Sequence, residues 1–141
     1  MTPVVIERWL RIIVDGQPAL IDDLLAEDAV FYSPAVFTPQ VGKVKCGSYL
    51  RAAEKMFADS DFRFVGCWYA ESSAILEFVA EIDGSHIEGI DMIHWNAQDK
   101  ITSFKVMIRP LKGLQAVIPR MGELLGRPAA HAQPNNEEPL A

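Results

Sequence analysis

SHIEGIDMIHW, residues 85–95, alternates in hydropathy with the two-residue period of a β-strand. One face carries Ile87, Gly89, Asp91, Ile93 and Trp95, and the other carries His86, Glu88, Ile90, Met92 and His94. The first face is apolar except for Asp91. A carboxylate there costs several kcal/mol unless it is paired, hydrogen-bonded or neutral. Asp91 is therefore the first candidate for a working acid. A buried acid tied to a helix residue or a water is the purely structural alternative.

The strands around this one set the fold class. Upstream, Phe62–Ala70 and Ala74–Ile82 alternate in the same way, and downstream so does Ile101–Pro110. The connections are short: Glu71-Ser72, Asp83-Gly84 and Ala97–Lys100. Asp-Gly between two alternating runs is a strong hairpin signal, because both central positions of the turn accept positive φ. Leu76, Phe78, Ala80 and Ile82 share one face of the second strand, while Phe104, Val106 and Ile108 share one face of the last. These four strands predict an antiparallel meander with one apolar and one mixed face.

Before the meander the apolar period is helical. Val5, Ile6, Trp9, Leu10 and Ile13 predict a helix over Pro3–Val14, with Thr2 as its N-cap and Asp15-Gly16 as its end. A short second helix over Pro18–Ala26, a strand over Ala29–Ser33, a loop or lid over Ala35–Gly42 and a third helix over Ser48–Ala58 follow. A last helix is expected over about Leu114–Leu125. Helices first and a meander afterwards is an α+β pattern, with the helices on one face of the sheet. One domain over 1–125 and a disordered, Pro- and Asn-rich tail over 126–141 complete the organisation.

Composition narrows the function. The chain has 141 residues and a formal charge of −6, so non-specific nucleic-acid binding, which runs on Lys and Arg, is not expected. No apolar run approaches the roughly 20 residues that span a bilayer, and the first ten residues mix charges with apolar groups unlike a signal peptide. Cys46 and Cys67 have no metal-ligand spacing and read as free buried thiols of a cytoplasmic protein. His86, Glu88 and His94 lie opposite Asp91 at a spacing that does not suit a metal, so no metal is expected. No Gly-rich phosphate loop or nucleophile elbow is present, and no cofactor is expected. The face bearing Met92 and His94, with Met107, Lys105 and Arg109 on the next strand, suits a homodimer interface on a sheet surface that helices leave uncovered.

LIDDLLAEDAVFYSP at 20–34, Gly42 and EGIDMIHWNAQDKITSFKVMIRP at 88–110 together resemble the nuclear-transport-factor-2-like superfamily, in its SnoaL-like and ketosteroid-isomerase-like branches. The resemblance runs over roughly residues 3–124. It implies a cystatin-like roll: a bent sheet wrapped onto the helices as a cone, with an apolar pocket at the open end and dimers through the outer sheet face. Ketosteroid isomerases use a Tyr in the first helix, a general-base Asp near the Pro after the first strand, and an Asp kept protonated by an apolar site. In this sequence those positions fall on Trp9, Ser33 and Asp91. Asp91 matches; an indole N–H can donate but is no acid, Ser33 has no useful basicity, and Tyr32 points to the other face. The familiar ketosteroid mechanism is therefore not expected.

Trp9, Phe31, Ser33, Phe78, Trp95, Phe104, Val106 and Ile108 are the expected ligand-binding set if the cone is open, and plain core if it is filled. The expected function is binding of a small hydrophobic molecule, with Asp91 driving isomerase-, cyclase- or dehydratase-type proton transfer. The alternative is a non-catalytic ligand-binding or dimeric scaffold protein.

Overall fold

In the computed structural model, which describes residues 1–126, α1 (Val4–Asp15) buries Val5, Ile6, Trp9 and Ile12 on one side. Its N-cap is Pro3 and not Thr2, and no side chain caps it. Gly16 ends it in the left-handed region at φ 64°, where its N–H bonds the carbonyl of Ile12. The second helix is shorter than its sequence suggests. A 3-10 turn over Pro18–Leu20 runs into α2 (Ile21–Leu24), and the chain is already extended at Leu25. The strand that follows, β1 (Leu25–Tyr32), starts four residues earlier than expected.

Within the expected loop, Gln40–Val41 forms a two-residue strand, β2, against β1. Gly42, at φ 105°, then turns the chain into α3 (Lys43–Ala58), which begins five residues before the predicted start. The meander follows: β3 (Arg63–Tyr69), β4 (Ser73–Ile82), β5 (Ser85–Trp95) and β6 (Ile101–Arg109). α4 (Leu111–Leu124) closes the described chain. The tail expected to be disordered falls, apart from Gly126, outside the described residues.

The six strands form one open sheet in the order β2-β1-β6-β5-β4-β3. The expectation of an antiparallel sheet needs one correction, since β1 pairs with β6 in parallel and the sheet is mixed. Alternation marks a strand and its faces but not its neighbour, and β6 reaches the free side of β1 only after the whole meander has turned. Register shifts interrupt β1 between Leu25 and Val30, β3 between Phe64 and Gly66, and the β5–β6 pair between His94 and Trp95. Such irregularities bend a strand and increase its twist, which lets the sheet curl over the helices.

The inner face is the predicted one. Ala74, Leu76, Phe78, Ala80 and Ile82 of β4 are buried beside Ile87, Asp91, Ile93 and Trp95 of β5. Two buried clusters line this face. The larger joins Trp9 and Ile6 of α1, Phe31, Tyr49, Leu76, Ile93, Trp95 and Phe104. The smaller joins Met56, Phe78, Ile82, Ile87 and, from α4, Val117. The sheet is thus wrapped on N-terminal helices as expected and on the C-terminal helix as well. Among the described residues no helix is long and apolar enough to cross a membrane.

The two cysteines part company. Cys46 is buried in α3, and burial pushes its thiol up to about 12. Cys67 is exposed, against expectation. It faces the inner side, opposite Leu76, but β3 is the last strand of the sheet.

Candidate functional site

Asp91 lies at the seam of the two clusters. Its cross-strand neighbours are Leu76 on β4 and Val106 on β6. Along its own strand Ile93 belongs to the larger cluster, whereas Gly89 is paired with Phe78 and Ile108 on the side of the smaller one. Val106 and Phe64 pack against both. The residue is 6 % exposed. Among the described residues no hydrogen-bond donor or cation pairs with its carboxyl, and burial alone pushes it up to about 8. Burial thus favours the protonated, uncharged form of the Asp91 carboxyl.

Gly89 shapes this spot. A Cβ there would stand 2.7 Å from the carbonyl oxygen of Met107 and 2.9 Å from Cε1 of Phe78, closer than such atoms come. The bare backbone lets the Phe78 ring lie across β5 two residues from Asp91. Phe78 in turn stacks on Phe62 at 5.0 Å and meets Phe57 edge-on at 5.4 Å, so an aromatic block fills the smaller-cluster side.

On the other side, Trp9 meets Phe104 edge-on with ring centroids 4.9 Å apart, and Phe31 stacks on Tyr49 at 5.1 Å. The Trp9 Nε1–H is buried and, among the described residues, has no hydrogen-bond partner. A buried donor without an acceptor costs about 1–3 kcal/mol. Among the described residues, then, two buried proton-bearing groups lack an acceptor: the indole N–H on α1 and the carboxyl on β5.

The expected set divides accordingly. Trp9, Phe31, Trp95 and Phe104 share the larger cluster, Phe78 is in the smaller one with Ile108 packed against it, and Val106 joins both. Ser33 is apart from them. Its Oγ accepts from the backbone N–H groups of Ala35 at 3.0 Å and Val36 at 3.3 Å, which fastens the turn after β1. Tyr49, which sequence reasoning placed in the buried set of the third helix, is a phenol in the aromatic group around Phe31. Its apolar neighbours in the helical period made it look like plain core.

The outer face carries the other half of the alternation. Tyr32 sits there under Lys105, whose Nζ is 4.9 Å from the ring centroid, and Arg109 pairs with Glu88. A groove of about 230 Å³ runs between Glu77, Glu88, Ile90, Met107 and Arg109. Met107 is 46 % exposed and Trp68, on β3, 58 %.

Comparison with known proteins agrees with this architecture. The family model of the SnoaL-like domain matches residues 6–104. A steroid delta-isomerase from Pseudomonas aeruginosa is 32% identical, with a TM-score of 0.81 over 86% of this chain and 88% of that one. A protein with a cystatin-like fold from Silicibacter pomeroyi DSS-3 is 27% identical, with a TM-score of 0.78 over 85% and 84% of the two chains. An epoxide hydrolase/cyclase-like enzyme of pyran ring formation in salinomycin shares the fold at 13% identity and a TM-score of 0.60, over 76% and 89% of the two chains. No curated protein matches the sequence.

Proposed function

Because the chain belongs to the SnoaL-like family, within the nuclear-transport-factor-2-like superfamily, we propose that its inner face takes a small, largely apolar molecule with an acceptor oxygen, and that Asp91 gives that oxygen a proton or a hydrogen bond. The observation that carries this reading is a buried carboxyl on the apolar face of the sheet that, among the described residues, has no hydrogen-bond or ionic partner, and that burial pushes up to about 8. In this reading the unpartnered Trp9 Nε1–H on α1 is a further donor offered to the ligand. A donor to the oxygen stabilises the charge that grows there when a neighbouring C–H or C–O bond breaks. Isomerisation, cyclisation and dehydration all pass through such a state and need no cofactor.

The likeness to a steroid delta-isomerase supports an isomerase-type reaction. A specific observation favours the second reading, a binding protein without chemistry. The position that would supply a base holds Ser33, and its hydroxyl oxygen is engaged by the turn. The two readings separate on turnover, while both require a ligand at Asp91.

Native mass spectrometry of the purified protein tests the shared part. The expected result is a small-molecule adduct that Asp91→Asn reduces at neutral pH and that Trp9→Phe weakens by about tenfold, the worth of one hydrogen bond. Affinity is expected to fall about tenfold per pH unit above pH 8, as the carboxyl ionises and can no longer donate. A protein that carries no adduct and retains none of a panel of apolar ketones, esters and ethers sinks the ligand reading.

We also propose that the protein is a cytoplasmic homodimer joined through the outer sheet face at Met92, His94 and Met107. The exposed Met107 beside the groove and the mixed charges around it support a self-complementary contact. Sedimentation at tens of micromolar is expected to show a dimer and, for Met107→Asp, a monomer. A wild-type monomer at high micromolar concentration counts against it.

A further inference from the structure

Met121 and the last turns of α4 are the feature that the proposed function leaves unused. Among the described helical residues, Met121 is the one that packs against both core clusters, and the seam between those clusters is where the sheet places Asp91. The helix is held unequally along its length. Its first half is pinned to β5: a Cβ at Gly113 would meet the carbonyl oxygen of His86 at 2.9 Å and Cγ1 of Ile87 at 3.1 Å, and Val117 is buried. Pro119 follows inside the helix and has no N–H to offer the carbonyl of Gln115.

Beyond Pro119 no described residue is fully buried, though Met121, Leu124 and Leu125 rest half-buried against the clusters. The described side-chain bond there is Arg120 Nη1 to Asp83 Oδ1 in the β4–β5 turn, at 3.3 Å, with both groups largely in water. Such a pair holds weakly. A methionine at this place is an adaptable apolar plug on the half of the helix that carries no fully buried residue.

We infer that Met121 is the gate residue of the Asp91 site and that residues 120–125 of α4 lift away from the sheet, turning at Pro119, to admit a ligand. This rests on the proposed reading of Asp91 as a ligand-facing acid, but its tests use the ligand-free protein. In wild type, amide exchange at 120–125 is expected to be faster than at 112–118, and Arg120→Ala is expected to speed the distal segment several-fold while leaving the proximal one unchanged. The Asp91 carboxyl, followed by carbon NMR, is expected to titrate about 1–2 units lower in Met121→Ala, where water reaches it, and at the wild-type value in Met121→Leu. Val117→Ala, a cavity in the same helix away from the seam, serves as the control and is expected to leave the Asp91 titration alone.

Uniform exchange along α4, or an Asp91 titration that Met121→Ala leaves in place, overturns the gate. If the titration and exchange results hold while no ligand is retained by any form of the protein, the gate stands and the function proposed above falls.

Discussion

Asp91→Asn is expected to stabilise the protein above pH 7 and to remove most of a pH dependence that wild type shows between about pH 4 and pH 8. In the unfolded chain the Asp91 carboxyl titrates near its ordinary value of about 4, whereas in the fold burial raises it to about 8. Below pH 4 both states hold the proton and the residue costs only what a neutral buried acid costs. Between the two values the native state keeps a proton that the unfolded state has released, so stability falls by about 1.4 kcal/mol per pH unit. Above pH 8 the loss levels off at about 6 kcal/mol, a large share of the 5–15 kcal/mol that holds most domains together. Asparagine has the same shape and cannot ionise. The variant is thus expected to match wild type within about 1 kcal/mol at pH 4.5 and to exceed it by several kcal/mol at pH 8.5, read from urea unfolding at each pH. Parallel curves for the two proteins would mean that Asp91 is hydrated or paired, and the neutral-acid reading would be falsified.

That same residue was visible in the sequence because a strand's period is strict. One polar group on an otherwise apolar face of SHIEGIDMIHW stands out at once, and the burial of Ile87, Asp91, Ile93 and Trp95 follows the alternation residue by residue. What alternation does not encode is who sits beside whom. The parallel β1–β6 pair, the two-residue β2 and the exposure of Cys67 all depend on where a strand ends up in the sheet, and none of these leaves a mark in the local pattern. Ser33 shows a second limit. Sequence reasoning judged its basicity, but the bonds from Ala35 and Val36 that occupy its oxygen are three-dimensional facts of the turn. Met121 shows a third: in a C-terminal amphipathic helix many residues are apolar, and only the packing distinguishes the one that touches both clusters.

The neutral acid and its aromatic wall are also linked mechanically, through Gly89. Gly89→Ala is expected to destabilise the protein by about 1–3 kcal/mol or more, the range for forcing extra atoms into a packed core. The added methyl would press on two different neighbours. The Phe78 ring is a side chain and can in principle rotate, but it is held between Phe62 and Phe57. The Met107 carbonyl, 2.7 Å away, is backbone and can yield only if β6 shifts against β5. Relief of the ring clash alone should therefore restore part of the loss. In Gly89→Ala with Phe78→Leu, the double variant is expected to be more stable than the sum of the two single losses predicts, by about 1 kcal/mol, a coupling that residues in contact commonly show. Strict additivity in urea unfolding would place the whole cost on the backbone contact. A fully wild-type Gly89→Ala would show that β5 and β6 have room to part, in which case the Phe78 ring is not pinned and cannot be the fixed wall beside Asp91.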